Sequence, residues 1–295
     1  MRLAELMLLA VAAVWGCSYG LAKVALLYYP LLGFLTLRFG MTFVLLLPSL
    51  RDFRSAEVGN AFRVGLPLGG ILLAIFLCET YGIAHTSATN AAFLISLCVI
   101  FTPLLEWWQS QQRPAPLTLY AALIACCGAA LLSGNLNAAS WGDAFILLAA
   151  LLRAVLMVKT KQLTLNQRLS TLALTTVQAG VLALACGILA LLSPAGLPAL
   201  PQAGAFWFAT LFLVLLCTIF AFFAQNYAIR RSTPSRVALL MGCEPLFGAL
   251  FAALYLGETL APATLLGGSL IVLAALTASL MPRRLNRQPD AAPPC

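Results

Sequence analysis

Five ionisable side chains interrupt otherwise apolar stretches of this chain: Lys23, Arg38, Glu79, Arg153 and Glu244. A charge surrounded by hydrocarbon is costly, so each needs a partner, water or a task. Arg153 cannot shed its charge, which suits it to anchor a ligand carboxylate. Glu244 is followed by Pro245, whose ring removes a backbone donor and lets a helix bend. A carboxylate at such a bend suits a ligand ammonium or a coupling proton. The competing reading is an Arg153–Glu244 structural ion pair. Lys23, Arg38 and Glu79 lie toward one end of their apolar runs, as a network around a gate or an anionic group. Here the competing readings are snorkelling of Lys23 to the nearby surface and an Arg38–Glu79 structural pair. Trp15, Tyr19, Tyr81, Asn90, Gln178, Gln225, Asn226 and Tyr227 are the uncharged candidates for a substrate pathway. Their rings make walls with polar tips, and the amides compete between lining a cavity and bonding across helices. Lys23, Glu79 and Glu244 are the candidates for gating or coupling.

Other chemistries find less support. Gly16-Cys17-Ser18-Tyr19-Gly20 reads as G-x-S-x-G, but a nucleophile elbow needs a preceding strand and a His/acid pair. An intramembrane serine hydrolase using Ser18 and His85 is the alternative to a carrier that moves a solute past these residues. The same residues read as G-x-x-x-G, a device for close helix approach. There are 9 cysteines and 1 histidine, with no C-x-x-C pair, so no metal site or cofactor is expected and the cysteines read as packing residues. No P-loop is present.

The elements that must hold these residues follow from composition. Of 295 residues, 62% are hydrophobic and 9% charged, against roughly 25% charged in soluble domains. A soluble fold, a disordered chain and a disulfide scaffold are excluded. An all-α polytopic membrane protein remains. Ten apolar runs are read at 5–27, 31–50, 63–84, 87–108, 117–133, 141–159, 170–192, 204–228, 235–256 and 263–281, each near the roughly 20 residues a spanning helix needs. The net charge of +8 reports orientation rather than a nucleic-acid partner. Arg2, Arg51, Arg54, Arg63, Arg113, Lys159, Lys161, Arg168, Arg230, Arg231, Arg236, Arg283, Arg284 and Arg287 fall on one side, and the opposite loops hold neither Lys nor Arg. With ten spans, both termini are then cytoplasmic. Trp107 and Trp108 suit an interfacial belt, with Glu106 beside them reaching cytoplasmic water.

Ten spans divide into five and five, and an odd number per half inverts the second half, as in many secondary transporters. The division is 1–135, 136–281 and a disordered basic cytoplasmic tail at 282–295, for which contact with anionic lipid is the alternative. Parallels between halves include Tyr81 with Tyr227, and Pro103-Leu104 with Pro245-Leu246.

Several segments carry a resemblance. Val14-Trp15-Gly16-Cys17-Ser18-Tyr19, the stretch ending Arg38-Phe39, Ala84-His85-Thr86-Ser87-Ala88 followed by Pro103-Leu104-Leu105, and Glu244-Pro245-Leu246-Phe247 with Leu256-Gly257-Glu258 and Gly267 together resemble the EamA-type transporters of the drug/metabolite transporter superfamily. The chain departs from that pattern at Gln111-Gln112-Arg113 and at Arg153. The resemblance implies ten transmembrane helices as two inverted five-helix repeats in a bacterial inner membrane. It implies a secondary transporter, in the exporting direction, of small metabolites such as amino acids or related amphipathic compounds, with a proton as candidate coupling ion. The expected partners are a small-molecule substrate and the lipid bilayer, in a monomer or homodimer.

Overall fold

A computed structural model of the chain describes residues 3–52, 55–86, 88–111, 113–133, 140–194, 196–255 and 262–280. Among these the regular structure is helical, in α1 (Leu3–Tyr28), α2 (Leu31–Leu46), α3 (Ser55–His85), α4 (Ala88–Ser96), α5 (Cys98–Ser110), α6 (Pro116–Ser133), α7 (Trp141–Thr164), α8 (Thr171–Leu192), α9 (Gly204–Val214), α10 (Ala221–Arg231), α11 (Pro234–Met241), α12 (Glu244–Tyr255) and α13 (Pro262–Leu280). Seven helical stretches among the described residues are long and apolar enough to cross a membrane. The sequence Leu256-Gly257-Glu258, residues 282–295 and the side chain of Asn90 lie outside the described residues.

Three apolar runs are interrupted. Run 235–256 breaks between α11 and α12 at Gly242 and Cys243. Pro245 then sits in the first turn of α12, where its missing N–H would be unpaired anyway. Run 87–108 breaks at Leu97, and Pro103 lies inside α5. Run 204–228 stays helical but widens into a π-helical segment, Leu215–Phe220, between α9 and α10. The Thr218 hydroxyl donates to the Leu213 carbonyl at 2.8 Å, a side-chain bond that competes with the backbone ladder. Such segments recur at functional sites.

The helices pack in recurring pairs. α1 lies against α9, α10 and α12; α7 lies against α3, α4 and α5; α2 packs on α8 and α6 on α13. Glycine sets the closest crossing at α1. A Cβ on Gly16 would stand 2.6 Å from the Glu244 carbonyl and 2.8 Å from the Gly248 nitrogen. Gly20 meets nothing, so the close approach is a Gly16–Gly248 crossing and not a G-x-x-x-G face. The interior is filled by Phe34, Phe39 and Phe206 among others, while Trp108, Trp141, Leu184 and Leu191 are exposed. That outward greasiness suits lipid. Ser140 and Asp143 form a reciprocal capping box at the start of α7, and the Thr86 hydroxyl donates to Asp143.

At the end of the bundle where α1 begins, two residues differ from the expected solvated charges. Arg236 is buried and pairs with the buried Glu5 at 2.6 Å, joining α11 to α1. Glu106 accepts from the backbone N–H of Ser235 at 3.1 Å and from its hydroxyl, joining α5 to α11. The start of α11 supplies unpaired backbone donors that attract a carboxylate.

Candidate functional site

The charges expected at mid-depth meet in one cluster. Glu244 opens α12, and the Gly16 crossing brings α1 against it. Arg153 of α7 donates from Nη1 to both Glu244 oxygens, at 3.2 and 3.3 Å. The Tyr19 hydroxyl donates to Glu244 Oε2 at 2.9 Å. The Arg153 guanidinium lies 4.3 Å from the Trp15 ring centroid, a stacked cation–π contact. Trp15 in turn donates to the Cys217 carbonyl of the π-helical segment at 2.9 Å. Arg153 is 6% and Glu244 2% exposed, so the pair is desolvated and each charge depends on the other.

Beside this cluster is a cavity of about 30 Å3, room for about two waters by the volume each requires. Its lining includes Tyr19 of α1, Arg38 of α2, Phe76 and Glu79 of α3, Arg153 of α7 and Gln225 of α10. Arg38 Nε donates to the Thr218 hydroxyl at 3.0 Å, and its guanidinium stands 5.0 Å from the Phe76 ring and 5.4 Å from the Phe39 ring. Glu79 makes no hydrogen bond or ion pair among the described residues, and Arg38 is not paired to it. Gln225 is buried, and its Nε2 has no acceptor among the described residues. On α1, α2 and α3 the lining runs from mid-helix toward the end opposite the Glu5–Arg236 pair, while Arg153 and Leu156 of α7 and Phe222 and Gln225 of α10 line it from mid-run toward the other end.

Other expected site residues lie elsewhere. Asn226 donates to Gln178 Oε1 at 2.8 Å and to the Thr175 hydroxyl at 3.2 Å, fastening α10 to α8 outside the cavity lining. Tyr81 is exposed and stacks on His85, with centroids 4.2 Å apart. Tyr227 stacks on Phe223 and carries Arg231 at 3.7 Å from its ring. Lys23 donates to the Thr86 carbonyl at 2.6 Å, tying α1 to the end of α3. Asn90 is on α4.

Ser18 lines the cavity, but its hydroxyl donates to the Trp15 carbonyl at 2.8 Å. His85 Nδ1 pairs with the Tyr81 carbonyl at 2.8 Å on an exposed surface. The two are not bonded to each other, and the hydrolase alternative finds no support. Thr218, Phe76 and the Cys217 carbonyl were not legible as site components. Cys217 reads as a packing residue in the sequence, and no motif or spacing marks the π-helical widening that presents Thr218 and the Cys217 carbonyl.

Two stretches, residues 2–134 and 140–280, each match the model of the EamA-like transporter family. The chain belongs to the EamA-like transporter family. It is a multi-pass membrane protein of transporter type, and its partners are a small-molecule substrate and the bilayer. Two proteins of Archaeoglobus fulgidus, each named an uncharacterized transporter, are similar to it. One is 28% identical over 285 residues, spanning 94% of this chain and 86% of that protein. The other is 28% identical over 215 residues, spanning 70% and 72%. A protein of known crystal structure superposes with a TM-score of 0.75 at 18% identity, covering 94% of this chain and 96% of that one. At that identity the likeness concerns the fold.

Proposed function

We propose that this EamA-like protein is a secondary carrier that exports a small amphipathic metabolite, such as an amino acid or a related compound, by alternating access. One observation carries the reading. A cavity within the bundle is lined by a guanidinium and a carboxylate that form no ion pair, and by an amide nitrogen that has no acceptor, among the described residues, and its walls come from both family-matched stretches. A scaffold has no use for such groups in a bilayer, where each is expensive.

Ten crossings arranged as two inverted repeats, 1–135 and 136–281, supply the moving parts. The packing supports this. If the fourth run comprises α4 and α5, the eighth α9 and α10, and the ninth α11 and α12, then exchange of the two halves converts the contacts of α1 with runs eight and nine into those of α7 with runs three and four. The same exchange maps α2–α8 and α6–α13 onto themselves. Two packings of nearly equal energy are what a rocking carrier needs. With both termini cytoplasmic in a bacterial inner membrane, as the arginine asymmetry argues, the cavity lies at mid-depth and the Glu5–Arg236 and Glu106–Ser235 contacts close the inner face. The cavity's small volume belongs to a state whose walls must part to admit a metabolite. Glu79 is the stronger coupling candidate, because Glu244 is already held by Arg153 and Tyr19.

Counterflow in proteoliposomes tests the reading. Purified protein should give saturable, trans-stimulated exchange of a radiolabelled amino acid, and flux that rises linearly without saturation would refute a carrier. For coupling, an imposed pH gradient should accelerate wild-type flux. The same acceleration in both Glu79→Gln and Glu244→Gln would remove these two carboxylates from the coupling step, and no acceleration in the wild type would remove the proton.

A further inference from the structure

Arg153 was the natural anchor for a substrate anion, but its charge is spent on Glu244. Arg38 is different. It is 6% exposed, it lines the cavity, and no carboxylate lies within ion-pair reach of it among the described residues. Its Nε is committed to Thr218, and the Phe39 and Phe76 rings cover its guanidinium. These contacts orient the group without neutralising it. The Nη nitrogens have no acceptor among the described residues. Gln225, 5% exposed, lines the same cavity and holds a second donor, Nε2, that lacks an acceptor.

A buried donor without an acceptor, as Gln225 Nε2 is among the described residues, is costly, and the cost is recovered when an acceptor arrives. A guanidinium fork matches the two oxygens of a carboxylate, and the Gln225 amide in the same lining supplies a further donor. Arg38 makes no ion pair among the described residues but shares the cavity with the Glu79 carboxylate, a balance that disfavours a phosphate dianion more than a monoanion, and Phe76 and Phe222 in the same lining offer an apolar wall. We infer that Arg38 and Gln225 are the receptor for a substrate carboxylate, so that the carried solutes are small amphiphiles bearing that group. The inference rests on the carrier reading above and adds to it the chemical class and the two residues that read it. Thr218, through its bond to Nε, is a positioning residue.

Four isosteric probes separate the charges: L-leucine, L-leucinamide, isocaproate and isocaproamide. Binding to purified protein is measured by calorimetry, and counterflow is measured in parallel. In the wild type, leucine and isocaproate should bind at least about tenfold more tightly than their amides, the discrimination expected of a charge-assisted bidentate bond. Gln225→Leu removes a donor that holds no partner, so its fold should survive while the discrimination shrinks several-fold. Arg38→Gln should abolish the discrimination. Thr218→Val should weaken it while leaving the charge in place. Equal binding of acids and amides by the wild type overturns the inference, as does undiminished discrimination in Gln225→Leu and Arg38→Gln. Acid-selective binding without saturable flux would support the receptor and refute the carrier. Saturable flux that ignores the carboxylate would refute the receptor alone, and neither binding nor flux would overturn both.

Discussion

Replacement of either member of the Arg153–Glu244 pair should destabilise the fold far more than loss of an ordinary interhelical hydrogen bond. Neutral bonds between membrane helices average about 0.6 kcal/mol in double-mutant cycles. This pair is nearly inaccessible, joined through 3.2 and 3.3 Å contacts, with Tyr19 on the carboxylate and Trp15 on the guanidinium. Removing one partner of a buried pair strands the other, at a cost of about 3–5 kcal/mol. Arg153→Met and Glu244→Leu should each lose about that much. Arg153→Met/Glu244→Leu strands no charge, so its loss should fall short of the sum of the singles by at least about 2 kcal/mol. Unfolding in sodium dodecyl sulfate, followed by far-ultraviolet circular dichroism, provides the four stabilities of the cycle. A coupling energy below about 0.6 kcal/mol, within the neutral range, would refute the claim that these two charges depend on each other.

Three further outcomes are expected. Gly16→Ala should cost about 1–3 kcal/mol, the usual range for overpacking, because its Cβ meets α12 backbone at 2.6 and 2.8 Å; unchanged thermal stability would contradict the crossing. Arg236→Gln should raise deuterium uptake at the starts of α1 and α11 and leave the α6–α13 contact unaffected, since Arg236 and Glu5 join the first two; uniform uptake would argue against a local closure. Ser18→Ala and His85→Ala should retain counterflow, because neither side chain bonds the other; loss of all turnover in both would revive a hydrolytic role.

The EamA-like assignment was legible from residues alone because its segments are short and ordered, and the family match to both stretches agrees with it. Of the candidate site, Trp15, Tyr19, Arg38, Glu79, Arg153, Gln225 and Glu244 do converge on one region. Tyr81 and Tyr227 do not line the cavity, for a rotational reason. One residue turns a helical side chain by about 100°, so Tyr227 leaves the face that Gln225 presents to the cavity. Arg236 and Glu106 looked like solvated loop charges, since nothing local marks a partner that arrives from 231 or 129 residues away.

Composition and hydropathy alone determine that this chain dwells in a membrane as helices, because a 62% hydrophobic chain with 9% charge has no soluble way to satisfy its backbone and hide its surface. They also single out the few charges that need an explanation. Which of those charges are spent on each other and which stay available is a tertiary decision. The Gly16–Gly248 crossing delivers Glu244 to Arg153 and Tyr19, and the π-helical turn holds Arg38 by Thr218. Side-chain bonds reach only about 3 Å, so a partner is chosen by helix rotation and approach, which no spacing along the chain encodes.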